Sequence, residues 1–175
     1  MGSALRTLGD AATALGTARA AEILYIAEGN ALGVANARQN MGVAALDLGR
    51  YDEAKAWLDE ALSFYDHRQL RDFAAAVHEE LARYWASMGD PKAAKAECRL
   101  GLALVERDAA SVVSLRLEVM LAAIERRRGD PSGDGRLRKA AQGLLDIGQG
   151  YELLQIPDYL LEEARGHLGC ESSRE

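Results

Sequence analysis

Strand-forming sequence is what this chain most lacks. Its 175 residues include three prolines, two phenylalanines and few threonines, and aromatic residues make up 6%. Apolar residues recur at spacings of three and four, the period of an amphipathic helix rather than a strand. The fold class this leaves is all-α. Long apolar runs are missing too: none approaches the ~20 residues of a membrane span, and no signal peptide opens the chain. Basic charge is in deficit, since 21 lysines and arginines stand against 27 aspartates and glutamates for a net charge of −6. General affinity for nucleic acid or anionic membrane rests on a basic surface, so neither is an expected partner.

Reactive side chains are equally sparse. Cys98 and Cys170 form no disulfide framework, which points to a reducing, cytoplasmic compartment; Cys98 recurs in the same column as Leu58 and reads as a small buried apolar residue. His67, His78 and His167 are scattered without ligand spacing, so no metal site is expected. Glu79 and Glu80 adjoin on a helix and so point about 100° apart, poor geometry for an acid and base pair. No glycine-rich phosphate loop follows a strand. Neither catalysis nor a cofactor is expected.

What the chain does have is a period. Gly9, Gly49, Gly89 and Gly129 stand 40 residues apart. Ala14, Ala54 and Ala94 follow the first three at a constant offset, and Gly42, Ala82 and Ala122 precede the last three at another. Ala37, Val77 and Leu117, with Met41, Leu81 and Leu121, complete an apolar row that ends at the glycine. This is a first helix, A. After the glycine a second run, B, carries Ala54, Leu58, Ala61, Leu62 and Tyr65 in one unit and Ala94, Cys98, Leu102 and Val105 in the next. Small residues where A and B face each other predict close helix packing, and a fixed period of this length predicts a solenoid of antiparallel helix pairs. Each glycine is expected to end helix A at positive φ. Asp10, Asp90 and Asp130 then cap helix B, with Pro91 and Pro131 at its first position. Arg50 replaces the aspartate in the second unit, which makes Asp52 the candidate cap there.

The expected organisation is one domain over residues 1–175, with units at about 1–28, 29–68, 69–108 and 109–150 and a capping helix within 151–170. Met1, Gly2 and Ser3 resemble a remnant of an expression tag, and the expectation is a segment of a longer protein, with a native start and a degenerate first unit as the alternative. Pro131, Ser132, Gly133, Asp134 and Gly135 read as a loop by composition, with a helix resuming from Arg136 to Ile147. A last helix, from Asp158 to about Leu168, would close the stack.

Residues 35–66 carry a more specific pattern: Met41-Gly42, then Leu48-Gly49-Arg50-Tyr51-Asp52-Glu53-Ala54, then Leu58, Ala61 and Leu62. This resembles the tetratricopeptide repeat. The third unit matches less fully, through Leu81-Ala82, Trp85, Gly89, Ala94 and Gly101. Ordinary repeats of that family run 34 residues; the 40-residue form here, with Gly29-Asn30 ahead of Ala31 and Gly33, is similar to repeats of large bacterial transcription activators and their signalling ATPase relatives.

The resemblance implies a recognition region whose A helices line a concave surface. By its register the inward positions are Asn36, Gln39, Asn40, Val43 and Asp47, then Glu79, Glu80 and Arg83, then Arg116, Val119, Ala123, Arg126 and Arg127. Asn40 is the strongest candidate, because asparagine at this site in the family often bonds a ligand's main chain. Arg126 to Arg128 could fork onto the carboxylates of an acidic peptide, or simply complement the dipole at a helix end. The function implied is a protein-interaction module that binds a peptide or helix of a partner. The alternative is a regulatory segment of a transcription regulator that binds a small inducer or forms a homodimer.

Overall fold

Three-residue turns recurring every 20 residues organise the molecule. The computed structural model describes residues 2–105, 111–127 and 132–148. Within them lie seven helices and no strand: α1 Gly2–Ala27, α2 Ala31–Asp47, α3 Tyr51–His67, α4 Arg71–Ser87, α5 Pro91–Leu104, α6 Val112–Arg127 and α7 Ser132–Asp146. The residues at Gly29, Gly49, Gln69 and Gly89 all have positive φ, from 58° to 77°. Around Gly49 the hydrogen bonds are those of a Schellman turn: Gly49 N–H donates to the Leu46 carbonyl at 3.0 Å and Arg50 N–H to the Ala45 carbonyl at 2.8 Å. The same pair of bonds closes the helices before Gly29, Gln69 and Gly89.

Only half of that spacing shows as a 40-residue glycine repeat, because Gln69 fills one of the four turns. The residue after each positive-φ position is the N-cap of the next helix. The Asn30 side chain accepts from Gly33 N–H at 2.9 Å, and Asp90 accepts from Lys92 and Ala93 N–H, both at 3.0 Å. Pro91 opens α5 as expected. Arg50 and Leu70 hold the cap position with no side-chain bond.

Three expectations need correction. Asp52 is not a cap; it sits in the first turn of α3, already helical, where its charge complements the dipole. Gly9 does not end a helix and Asp10 does not start one, because α1 runs through both. The alanine-rich stretch after them propagates helix well, and α2 holds it through Ala11, Leu15 and Ala18, which are buried. Residues 132–135 are helix rather than loop. Gly133 is there for contact: a Cβ on it would meet Arg126 Cγ at 2.7 Å and the Ala122 carbonyl at 2.8 Å. Gly129, Asp130, Pro131 and the expected capping helix at 151–170 lie outside the described residues.

Consecutive helices pack antiparallel, and the even-numbered ones also touch along a row, α2 with α4 and α4 with α6. No pair of odd-numbered helices touches as closely as α4 and α6 do. Contact along α2, α4 and α6 makes these the inner row of the array. Between rows, the column Ala54, Leu58, Ala61 and Tyr65 of α3 is fully buried, as are Ala94 and Cys98 of α5. Gly42 shows how tight this contact is, since a Cβ there would meet Leu58 Cγ at 2.6 Å.

Among the described residues, Gln69 is the one side chain forced into the left-handed region. Replacing it by glycine removes a Cβ penalty of roughly 1 kcal/mol. Gln69→Gly is expected to raise the melting temperature by several degrees, followed by circular dichroism. An unchanged or lower value would mean that the glutamine is held there by something other than the turn.

Candidate functional site

Each inner helix presents its polar residues at helical spacing, but most of them are already engaged. The Tyr65 hydroxyl sits 2.8 Å from Asn36 Oδ1 and 3.1 Å from Gln39 Oε1. It has one proton, so it donates to one amide at a time and ties α3 to α2 either way. Burial pushes the Tyr65 pKa up to about 12 and keeps that proton in place. Asn40 differs: it is exposed and has no side-chain hydrogen bond among the described residues.

The carboxylates and guanidinium groups of the inner row find each other. Arg83 reaches Asp47 at 3.4 Å and Glu80 at 3.0 Å, and lies 3.5 Å from the Val43 carbonyl. Arg116 pairs with Glu79 at 2.7 Å, and Arg126 with Asp134 at 2.5 Å. Glu79 and Glu80 are buried. These residues join α2 to α4, α4 to α6 and α6 to α7. Val119 and Ala123 are buried as well. The side chain of Arg127 lies outside the described residues.

Further polar and ionic pairs escape sequence reasoning: His78 with Glu97 at 2.8 Å, Lys95 with Glu125 at 2.7 Å, and Arg136 with Glu118 and Glu125 at 2.6 and 3.3 Å. One of them had a signal. Glu125 continues the column of Ala45 and Trp85, so a carboxylate stands where the repeat calls for an apolar group, and it is buried as the column demands. Cys98 is a buried free thiol whose pKa burial pushes up to about 12. It stays protonated and unreactive.

One cleft brings four of the candidates together. It lies between α1 and α2, encloses roughly 600 Å³, and takes Asn36, Asn40, Val43 and Asp47 from α2. The facing wall is Thr13, Ala14, Thr17, Ala21 and Tyr25 of α1, with Asp10 at the end nearest Asp47. Glu79, Glu80, Arg83, Arg116 and Arg126 are not part of it. The cleft offers a free amide, two hydroxyls, an alanine floor and an acidic end, which suits binding by shape and hydrogen bonds. Among the described residues no group of three side chains is placed to hold a metal ion, and no helix is long and apolar enough to cross a membrane.

Residues 35–66, which comprise most of α2 and α3, match the family model for the tetratricopeptide repeat. The matched segment includes Asn36, Asn40, Val43 and Asp47, the α2 residues that line the cleft. No curated protein and no solved structure matches the chain.

Glu79 provides a test of the inner row's electrostatics. Burial, the largest influence, raises its pKa above the usual carboxylate range, against the opposing pull of Arg116. A carboxyl raised on folding contributes stability at low pH that is lost as pH climbs through the folded value. Relative to wild type, Glu79→Gln is expected to lose less stability between about pH 5 and pH 9, and Arg116→Met to lose more. Urea midpoints across that range check both. Three parallel profiles would show that Glu79 does not titrate within the fold.

Proposed function

We propose that this array of tetratricopeptide type is a protein-recognition module, and that it takes a segment of a partner protein on the inner row of helices, at the α1–α2 end. Repeats of this family generally mediate protein–protein interaction. The observation that carries the reading is the contrast along the inner row. Toward α4 and α6 the charged groups are matched to each other, whereas between α1 and α2 Asn40 stands unbonded beside a half-buried valine and a bare alanine wall. Unpaired polar groups next to accessible apolar surface are what a polypeptide ligand needs: main-chain hydrogen bonds for the amide and side-chain burial for the wall.

A second reading, self-association of a regulatory segment, draws on different residues. Ile23, Leu24 and Ile26 of α1 are 68%, 63% and 58% exposed, a cluster of apolar surface that a second copy could cover. Sedimentation of wild type against Ile23→Lys with Ile26→Lys separates the readings, because a dimer that the double variant dissolves would favour the second.

The first reading is tested with peptides selected on the purified chain from a displayed library. Asn40→Ala and Val43→Asp are each expected to weaken those peptides by about tenfold, or 1.4 kcal/mol, with helicity unchanged. Ser63→Arg, on the exposed side of α3, is expected to leave affinity alone. Equal binding to wild type and both cleft variants would remove this surface from consideration.

A further inference from the structure

The outer row carries a charge inversion in register with the repeat. Asp52, Ala56 and Asp59 of α3 stand forty residues before Lys92, Ala96 and Arg99 of α5. All six are exposed, and in each helix they lie at i, i+4 and i+7, one stripe on the side away from the buried column. Ser63 and Ala103, a turn further along, keep both stripes small and exposed. The two helices differ in the same sense as wholes. Five acidic residues of α3 stand against Lys55, whereas Lys92, Lys95 and Arg99 of α5 stand against Glu97. Asp52, Lys92 and Arg99 have no ionic partner among the described residues. Asp59 accepts from Lys55 at 2.7 Å, an exposed pair one turn apart that leaves the carboxylate half in water.

We propose that the outer face of α3 and α5 docks a second copy of this chain, in a two-fold dimer whose axis runs parallel to these helices and midway between them. Such an axis turns the two outer faces together and leaves height along the helices unchanged. It lays α3 on α5 of the second copy, and α5 on its α3.

Charge complementarity selects that occupant. Helices α3 and α5 start at equivalent positions, Tyr51 and Pro91, so residues forty apart stand at the same height. Under the two-fold, Asp52 therefore meets Lys92 of the second copy and Asp59 meets its Arg99, and each pair forms twice. That reciprocity is what an isologous interface requires. Another protein would have to offer cations to α3 and anions to α5 at the spacing of this repeat; the chain itself already does. Between the charges Ala56 and Ala96 leave nothing bulky to hold the helices apart. The face is also of limited size. Two helices about 25 Å long and about 10 Å wide bury on the order of 500 Å² per copy, at the low end for specific interfaces. The dimer is accordingly weak and sensitive to salt, with the ion pairs setting register more than strength. It goes beyond the recognition reading and leaves the α1–α2 cleft open on the inner side, so each dimer offers two clefts.

Sedimentation of the full chain tests the pairing. Wild type is expected to show a monomer–dimer equilibrium whose dissociation constant rises about tenfold between roughly 0.05 and 0.5 M salt. A variant with Asp52→Lys and Asp59→Arg, and another with Lys92→Asp and Arg99→Asp, should each sediment as monomers with helicity unchanged by circular dichroism. Mixed in equal amounts, the two should form a heterodimer. All four substitutions in one chain should restore the homodimer, because opposite charges face each other again in both cases.

A wild-type chain that remains monomeric at roughly 0.5 mM and low salt overturns the proposal, since even weak specific interfaces form there. So does a dimer that survives either charge reversal, or a pair of reversed variants that stay monomeric when mixed. A dimer lost on Ile23→Lys with Ile26→Lys moves the contact to α1 and overturns this face. Species that keep growing with concentration overturn the two-fold closure in favour of an open chain of copies. Library-selected peptides should keep full affinity for every charge variant, so failure of the dimer and failure of the recognition reading are read separately.

Discussion

A helix reversal closed by one residue at positive φ is the constraint from which the rest of this molecule follows. Because the turn occupies three residues and comes back every 20, α2, α3 and α4 are each held to 17 residues. Every second helix then points the same way. Two reversals restore the chain to its starting orientation, so a residue and its counterpart 40 positions later meet equivalent neighbours. The columns Ala54 with Ala94 and Leu58 with Cys98 are buried for that reason. Small residues in them let facing helices approach closely, and buried apolar area between rows supplies stability that no single helix pair could provide alone.

Much of this was legible because glycine at the left-handed position is a chemical necessity that leaves a mark. Gly49 and Gly89 could be placed in turns from sequence, and Asp90 as a cap. The same logic failed at Gly9, since glycine permits a turn without requiring one; Leu15 and Ala18 pack with Met41 and Ala44 of α2 and the helix runs through it. It failed in the opposite sense at Gln69, where the Tyr65 and Asp66 carbonyls accept the closing bonds and local geometry overrides residue preference. Ser132 to Gly135 looked like a loop because small polar residues favour turns. Here Gly133 lets α7 press onto α6, and tertiary contact decided the outcome.

For the candidate site, position was legible and partnership was not. The register implied by the tetratricopeptide resemblance put Glu79, Arg83 and Arg116 on the inner side of the array. It could not say that Arg116 would reach across to Glu79, or that Arg83 would span Asp47 and Glu80. Distances between side chains on different helices depend on crossing angle and axial offset, which a single sequence does not encode in any local pattern. The consequence is functional. A row that reads in sequence as amides, then carboxylates, then guanidinium groups loses most of its outward charge once α4 and α6 pair it internally, and the free polar capacity gathers at Asn40.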